Sequence, residues 1–377
     1  MTIDEDDNLW VALYGGGAIV KVNSTRWMEI FYKLYSLNEE QRKQQPTAGA
    51  VFAVVGLETR GLPVFEVDLL ESLDDEITEP LIHGECPTWD SRNNILYYVD
   101  IHVGKIYSYN YTSKEITSIT LNGEVAPVVP SKSNPNMLIV GLDRSIVAVK
   151  WNKDGTFTSK LLVVVADDKP DSRMNDGKAD KEGRIWFGTM GKDGDVGTPN
   201  EGTLYKVTRD NVSSPEVMVS PVNISNGMAW NKANNKFYYI DSPTLQVSEY
   251  DYDNEKGTIS NRRVAFDLKN YNINAHPDGM TIDQDDNLWI ALYGGGSVIK
   301  VNPTTGELLN RIPIPAECVT SVMWGGPDLD VLFVTTSRVS LTEEEINEQP
   351  GAGSVYALIN LGTKGVPVFE ADIIDSI

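Results

Sequence analysis

Glu85, Asn175, Asn226 and Asp278 open four widely separated strand-like strings, ECPTWD, NDGKAD, NGMAW and DGMTI. Each of these side chains carries an oxygen donor, and two are carboxylates. Carboxylates brought within a few ångströms repel one another unless a cation or a proton sits between them. An oxygen-only set suits a hard cation such as Ca²⁺ or Mg²⁺, with Mn²⁺ and Zn²⁺ as alternatives because carboxylates bind them as well. Residues this far apart in sequence meet only if the fold returns each of them to a common axis.

Internal repeats supply such an axis. Residues 1–23, MTIDEDDNLWVALYGGGAIVKVN, are identical to 280–302 at 18 of 23 positions, and residues 49–73 repeat 353–377. The offsets are 279 and 304, so the first copy lacks a net 25 residues, 304 minus 279, in its middle. In their place stands STRWMEIFYKLYSLNEEQRKQQ, where Trp27, Ile30, Phe31 and Leu34 have helical spacing and predict a short helix. Residues 1–73 therefore read as a partial duplicate of the C-terminal blades, expected to pack poorly. The copy starts at the equivalent of Met280, past Asp278, and so carries none of the site residues.

An older repeat runs through 74–377. Its six units open at Glu85, Ala126, Asn175, Asn226, Asp278 and Thr320, separated by 41, 49, 51, 52 and 42 residues. Each unit holds two apolar strands around a polar turn, with room for two more such as KIYSYNY, TLYKVT or SVIKVN. Four strands per unit at this period is a propeller signature, and the Val-, Ile-, Tyr- and Trp-rich alternation argues against helical repeats. The expected fold is all-β, a six-bladed β-propeller over 74–377 with a partial duplicated segment before it. In a propeller the first strand of each blade runs beside the central channel, so the six opening residues converge on one ring. A turn-forming Asp or Asn at any single strand start is unremarkable, but two carboxylates, two amides and a hydroxyl on one ring favour a cation. Which of them are ligands and which are bystanders the register leaves open.

Charge and composition narrow the partners. With 32 basic against 54 acidic residues, the net charge of -22 opposes approach to phosphate backbones, so no nucleic acid is expected. Two cysteines, Cys86 and Cys318, suit free thiols in a reducing compartment. The start MTIDEDDNLW has no basic and no apolar leader region, and no apolar run approaches the roughly 20 residues that span a bilayer, so a soluble, cytoplasmic protein with no membrane partner is expected. Three histidines exclude a His-rich zinc site. Asp283-Gln284-Asp285-Asp286-Asn287 imitates the start of a calcium loop but lacks its sixth-position Gly and twelfth-position Glu, and reads as a β-turn.

The segments Gly84-Glu85-Cys86-Pro87, Arg173-Met174-Asn175-Asp176-Gly177-Lys178, Ser225-Asn226-Gly227 and Pro277-Asp278-Gly279, in this order, resemble the family of senescence marker protein, regucalcin and gluconolactonase, and especially its insect luciferin-regenerating members. The resemblance covers about 74–377. It implies that Glu85, Asn226 and Asp278 hold one divalent metal, Ca²⁺ foremost, with Asn175 at the edge of the coordination sphere. It further implies that Arg173, Asn175 and Asp193 contact substrate, Asp195 being the alternative to Asp193. The chemistry implied is hydrolysis of a sugar lactone or related cyclic ester, with Asp278 as the candidate general base toward the attacking water. A calcium-binding regulatory protein of the regucalcin type and a luciferin-regenerating enzyme are the alternatives.

Overall fold

Short runs of Val, Ile, Leu and aromatic residues, broken by Gly, Asn and Asp in turns, leave the backbone few choices other than antiparallel hairpins. The computed structural model describes residues 80–192, 197–339 and 341–377, together with the strands Thr2–Ile3, Leu9–Leu13, Ala18–Val22, Phe52–Val55 and Phe65–Leu70. The helix expected within 24–45 and residue Asp193 lie outside the described residues.

Two compact units emerge, 1–50 with 341–350, and 51–340 with 351–377. The larger is a six-bladed β-propeller. Its inner strands are Gly84–Asp90, Val125–Pro130, Ser172–Ala179, Ser225–Trp230, His276–Ile282 and Cys318–Gly325, opening blades 1 to 6 in chain order. Blades 1 to 5 are four-stranded meanders. Blade 6 continues through Val331–Ser337 and Tyr356–Ile359, and its outer strands come from the beginning of the chain: Phe65–Leu70 pairs with Tyr356–Ile359, and Phe52–Val55 pairs with Phe65–Leu70. The last sheet is thus completed by residues that precede position 74.

In the smaller unit, Thr2–Ile3, Leu9–Leu13 and Ala18–Val22 form a three-stranded sheet whose register, Leu9 opposite Val22 and Leu13 opposite Ala18, reproduces that of Leu288 with Val301 and Leu292 with Ser297. The helix Glu343–Glu348 begins with a reciprocal capping box between Thr342 and Glu345. Among the described residues no helix is long and apolar enough to cross a membrane.

The core of the propeller lies in wedges between blades. Blades 4 and 5 share Tyr238, Ile240, Phe266, Met280, Leu288 and Ile290, blades 1 and 2 share Val99, Ile106, Val128 and Val140, and Trp289 packs edge-on against Trp324 between blades 5 and 6. Full burial of each such side chain is worth about 1.5–3 kcal/mol. The wedges therefore hold the blades at fixed angles, and with them the inner strands. Asp283 is fully buried and accepts from the backbone of Asp285 and Asn287 and from the Trp289 indole, so this acidic string is a tied β-turn.

At one end of the channel the C-terminal segment crosses the blades. Lys364 accepts from the Gln284 amide, Ala371 exchanges backbone hydrogen bonds with Pro130 and Lys132, and Asp372 donates to Gly183. Val366–Phe369 line a cavity of about 60 Å³ together with Thr88, Lys178, Met228 and Thr281 from the inner strands.

Candidate metal centre

Every inner strand carries a register shift, and the shifts build the site. Pairing breaks between Glu85 and Thr88, Val125 and Val128, Met174 and Gly177, Ser225 and Met228, Pro277 and Met280, and Val319 and Ser321. Residues inside such a bulge are unpaired, and their side chains are re-aimed. Ala126, Asn175, Asn226, Asp278 and Thr320 sit there, as the repeat predicts. Blade 1 is displaced by one: the position inside its bulge is Cys86, and Glu85 is the last paired residue before it. Cys86 adopts a positive φ of 49°, a costly conformation for a residue with a Cβ. Its N–H donates to Glu85 Oε2 at 2.6 Å, which ties the Glu85 carboxyl back to its own strand.

In blades 4 and 5 the inner strands approach their neighbours too closely for a side chain at the next position. A Cβ on Gly227 would lie 2.6 Å from the Asp278 carbonyl oxygen, and one on Gly279 would lie 2.0 Å from Ser321 Oγ. The Asn-Gly and Asp-Gly pairs are therefore steric requirements of the ring.

Glu85, Arg173, Asn175, Asn226 and Asp278 are all buried and form one connected group. Arg173 donates to Asn175 Oδ1 at 2.8 Å and to the Met174 carbonyl. Asn175 spends its amide on the Ser225 carbonyl, and Cys86 Sγ donates to the Asn175 carbonyl. Asn226 donates to Ser242 Oγ at 3.0 Å, while its Oδ1 is buried with no hydrogen-bond partner. The other ring members turn away from this role, since Thr320 Oγ1 donates to the Gly84 carbonyl and Ala126 has no polar group.

Electrostatics describe a site short of positive charge. Burial, followed by repulsion from Asp176, pushes Glu85 up from 4.5 to about 8, against the pull of the Cys86 N–H and Arg173. Burial, then Glu85 and Asp176, push Asp278 well above the ordinary carboxylate range, with Asn226 and Arg173 opposing. Arg173, and the Lys178 ammonium that acts on Asp176, leave both Glu85 and Asp278 shifted upward. An orphaned amide oxygen and two mutually repelling carboxyls that resist ionisation fit the donor set of a hard cation. Among the described residues no three or more His, Cys, Asp or Glu side chains gather as a metal cage, so such a cation would need the Asn226 oxygen as its third ligand.

Comparison with known proteins decides the lineage. Residues 83–338, more than half of the chain, match the SMP-30/gluconolactonase/LRE-like region. The chain belongs to this family. Regucalcin of Sus scrofa is 36% identical over 289 residues, covering 76% of this chain and 93% of that protein. A solved luciferin-regenerating enzyme superposes with a TM-score of 0.74 at 34% identity, over 80% of this chain and 99% of that one. A calcium-binding regucalcin from Agrobacterium tumefaciens shares the fold, with a TM-score of 0.71 at 23% identity over 80% and 96% of the two chains. Family membership supports a lactonase or a calcium-binding, regucalcin-type role.

Three residues around this cluster escape sequence reasoning. Asp176 is buried among the carboxyls, and only its place beside Asn175 hints at this. Ser242, which fixes the Asn226 amide, follows a strand end and has no sequence signature. His83 lies near Arg173 and stacks on Tyr293, and burial lowers its pKa well below the usual value. Beside it, Glu124 is held down at about 2, first by its hydrogen bond from His102 and then by Lys192.

Proposed function

We propose that the chain is a metal-dependent hydrolase of sugar lactones that uses one divalent cation, Ca²⁺ foremost, with Glu85, Asn226 and Asp278 as its ligands. The observation that carries this reading is the unpartnered, buried Asn226 Oδ1, on a side chain that bonds Asp278, together with the Asp278 and Glu85 carboxyls that burial and mutual repulsion hold up in pKa. A cation held there would polarise the ester carbonyl of a bound lactone as a Lewis acid.

The protein's own groups account for the remaining chemistry. With the cation in place, Asp278 would accept the proton of the attacking water as the water oxygen bonds to the carbonyl carbon. The same carboxyl returns that proton to the ring oxygen as the carbon–oxygen ring bond breaks, and a hydroxy acid leaves. Arg173, fixed by Asn175 Oδ1 and the Met174 carbonyl, is placed to hold a substrate hydroxyl or the developing oxyanion. Asn175 has both ends of its amide engaged, which supports a place at the edge of the coordination sphere and not within it. Asp193 completes the proposed substrate contacts.

The test is turnover of an aldonolactone panel by protein stripped of metal and reloaded with Ca²⁺, Mn²⁺, Zn²⁺ or Mg²⁺. Metal-dependent hydrolysis is expected, and Asp278→Asn should lower kcat by about 10²–10⁴-fold. Tight cation binding without turnover on any lactone would sink the hydrolase and leave the regucalcin-type calcium-binding role.

A further inference from the structure

The inner strand of a blade has a ladder partner on one side only. Its other edge faces the axis, where backbone carbonyls need donors that the sheet does not supply. Lys178 answers this need. It leaves the inner strand of blade 3, three residues past Asn175, and its Nζ donates to the Met228 carbonyl at 3.2 Å and to the Met280 carbonyl. These acceptors lie two residues past Asn226 and Asp278, each on the far side of the bulge that aims the ligand. Asp176 is the nearby carboxylate that acts on the ammonium, and the cavity under Val366–Phe369 is lined in part by Lys178. One ammonium therefore joins the ligand-bearing strands of blades 4 and 5 to the strand that carries Arg173 and Asn175, below the ring.

We propose that Lys178 is a positioning residue for the cation site, setting the separation of Asn226 and Asp278 through the backbone carbonyls beneath them. The inference rests on the proposed cation site and deepens it. It concerns a group that touches neither the cation nor the substrate. Two effects of the ammonium have opposite signs, and this makes the proposal testable. As a charge, Lys178 repels a nearby cation, so its removal would tighten binding. As a clamp, it holds two ligands at a productive distance, so its removal loosens binding.

The experiment is calorimetric titration of Ca²⁺, and separately Mn²⁺, into the metal-free full-length chain, comparing wild type with Lys178→Met and Lys178→Gln. Thermal unfolding in EDTA is recorded alongside. Methionine keeps the length and loses both charge and donors, whereas glutamine loses the charge but keeps an N–H donor. The clamp predicts that Lys178→Met weakens both cations tenfold or more at unchanged stoichiometry, with Lys178→Gln between it and wild type. A purely structural lysine would lower the melting temperature in EDTA and leave affinity unchanged. Affinity within twofold of wild type, or tighter, in Lys178→Met overturns the proposal. Failure of both variants to fold also overturns it, because Lys178 would then belong to the fold and not to the site. A wild type that binds neither cation removes the proposed site itself, and that result is read before any variant is compared.

Discussion

Asn226 and Glu85 mark the extremes of what the sequence reveals residue by residue. Asn226 stands where the repeat puts it, and no reading of residue types could show that its amide nitrogen is held by Ser242 while its oxygen is left bare. Glu85 belongs to the cluster, yet the ladder places Cys86 in the equivalent position, because a bulge alters the residue count by one without altering the hydrophobic pattern. The pair Glu85 and Asp278 also sets a pH dependence. In the metal-free fold Glu85 titrates near 8 against 4.5 for an ordinary Glu, and Asp278 is shifted in the same direction. Between those values the folded chain binds more protons than the unfolded one, so this contribution to stability is present at low pH and lost as pH rises. The melting temperature in EDTA should therefore fall between about pH 5 and pH 8. Cation affinity should rise over the same window, because each ion displaces protons. A flat affinity profile across it would show that these carboxyls are not where the cation binds.

At the level of elements, the six opening strands and their polar turns are legible because four-stranded blades repeat their pattern at nearly regular spacing. The bulges are not legible, and they are what re-aims the residue at a strand start. The adjoining glycines are the nearest sequence trace of them. Gly279→Ala tests this coupling directly, since the added methyl would meet Ser321 Oγ at 2.0 Å and the Ser321 Cα at 2.7 Å. The substitution is expected to cost about 1–3 kcal/mol in urea unfolding and to weaken cation binding in the fraction that folds. Wild-type stability would mean that the inner strands are looser at the ring than their contacts imply.

For the whole molecule, the duplication is plain in the sequence, but its consequence is not. Two related segments take different positions: Phe65–Leu70 is a strand of blade 6, whereas its copy Phe369–Ile374 lies across the channel end, with Ala371 bonded to Pro130 and Lys132. Pattern alone cannot choose between these fates, because the same residues can add to a sheet edge or cover a cavity. We propose that the structural contribution of residues 1–73 to the propeller is concentrated in the strands at 52–55 and 65–70. A chain of 52–377 should then melt close to the full-length protein, while one of 74–377, which exposes Tyr356–Ile359 as an edge, should melt several degrees lower. Equal melting of the two truncations would make the whole segment dispensable.

The central claim is that one cation sits on the propeller axis between Glu85, Asn226 and Asp278. Anomalous diffraction from crystals soaked in Mn²⁺ tests it most directly. A single strong peak is predicted, with a carboxylate oxygen of Glu85, Asn226 Oδ1 and a carboxylate oxygen of Asp278 all within about 2.0–2.6 Å of it. A peak bound elsewhere, or a protein that takes up Mn²⁺ with the Asn226 oxygen still unpartnered, would contradict the account.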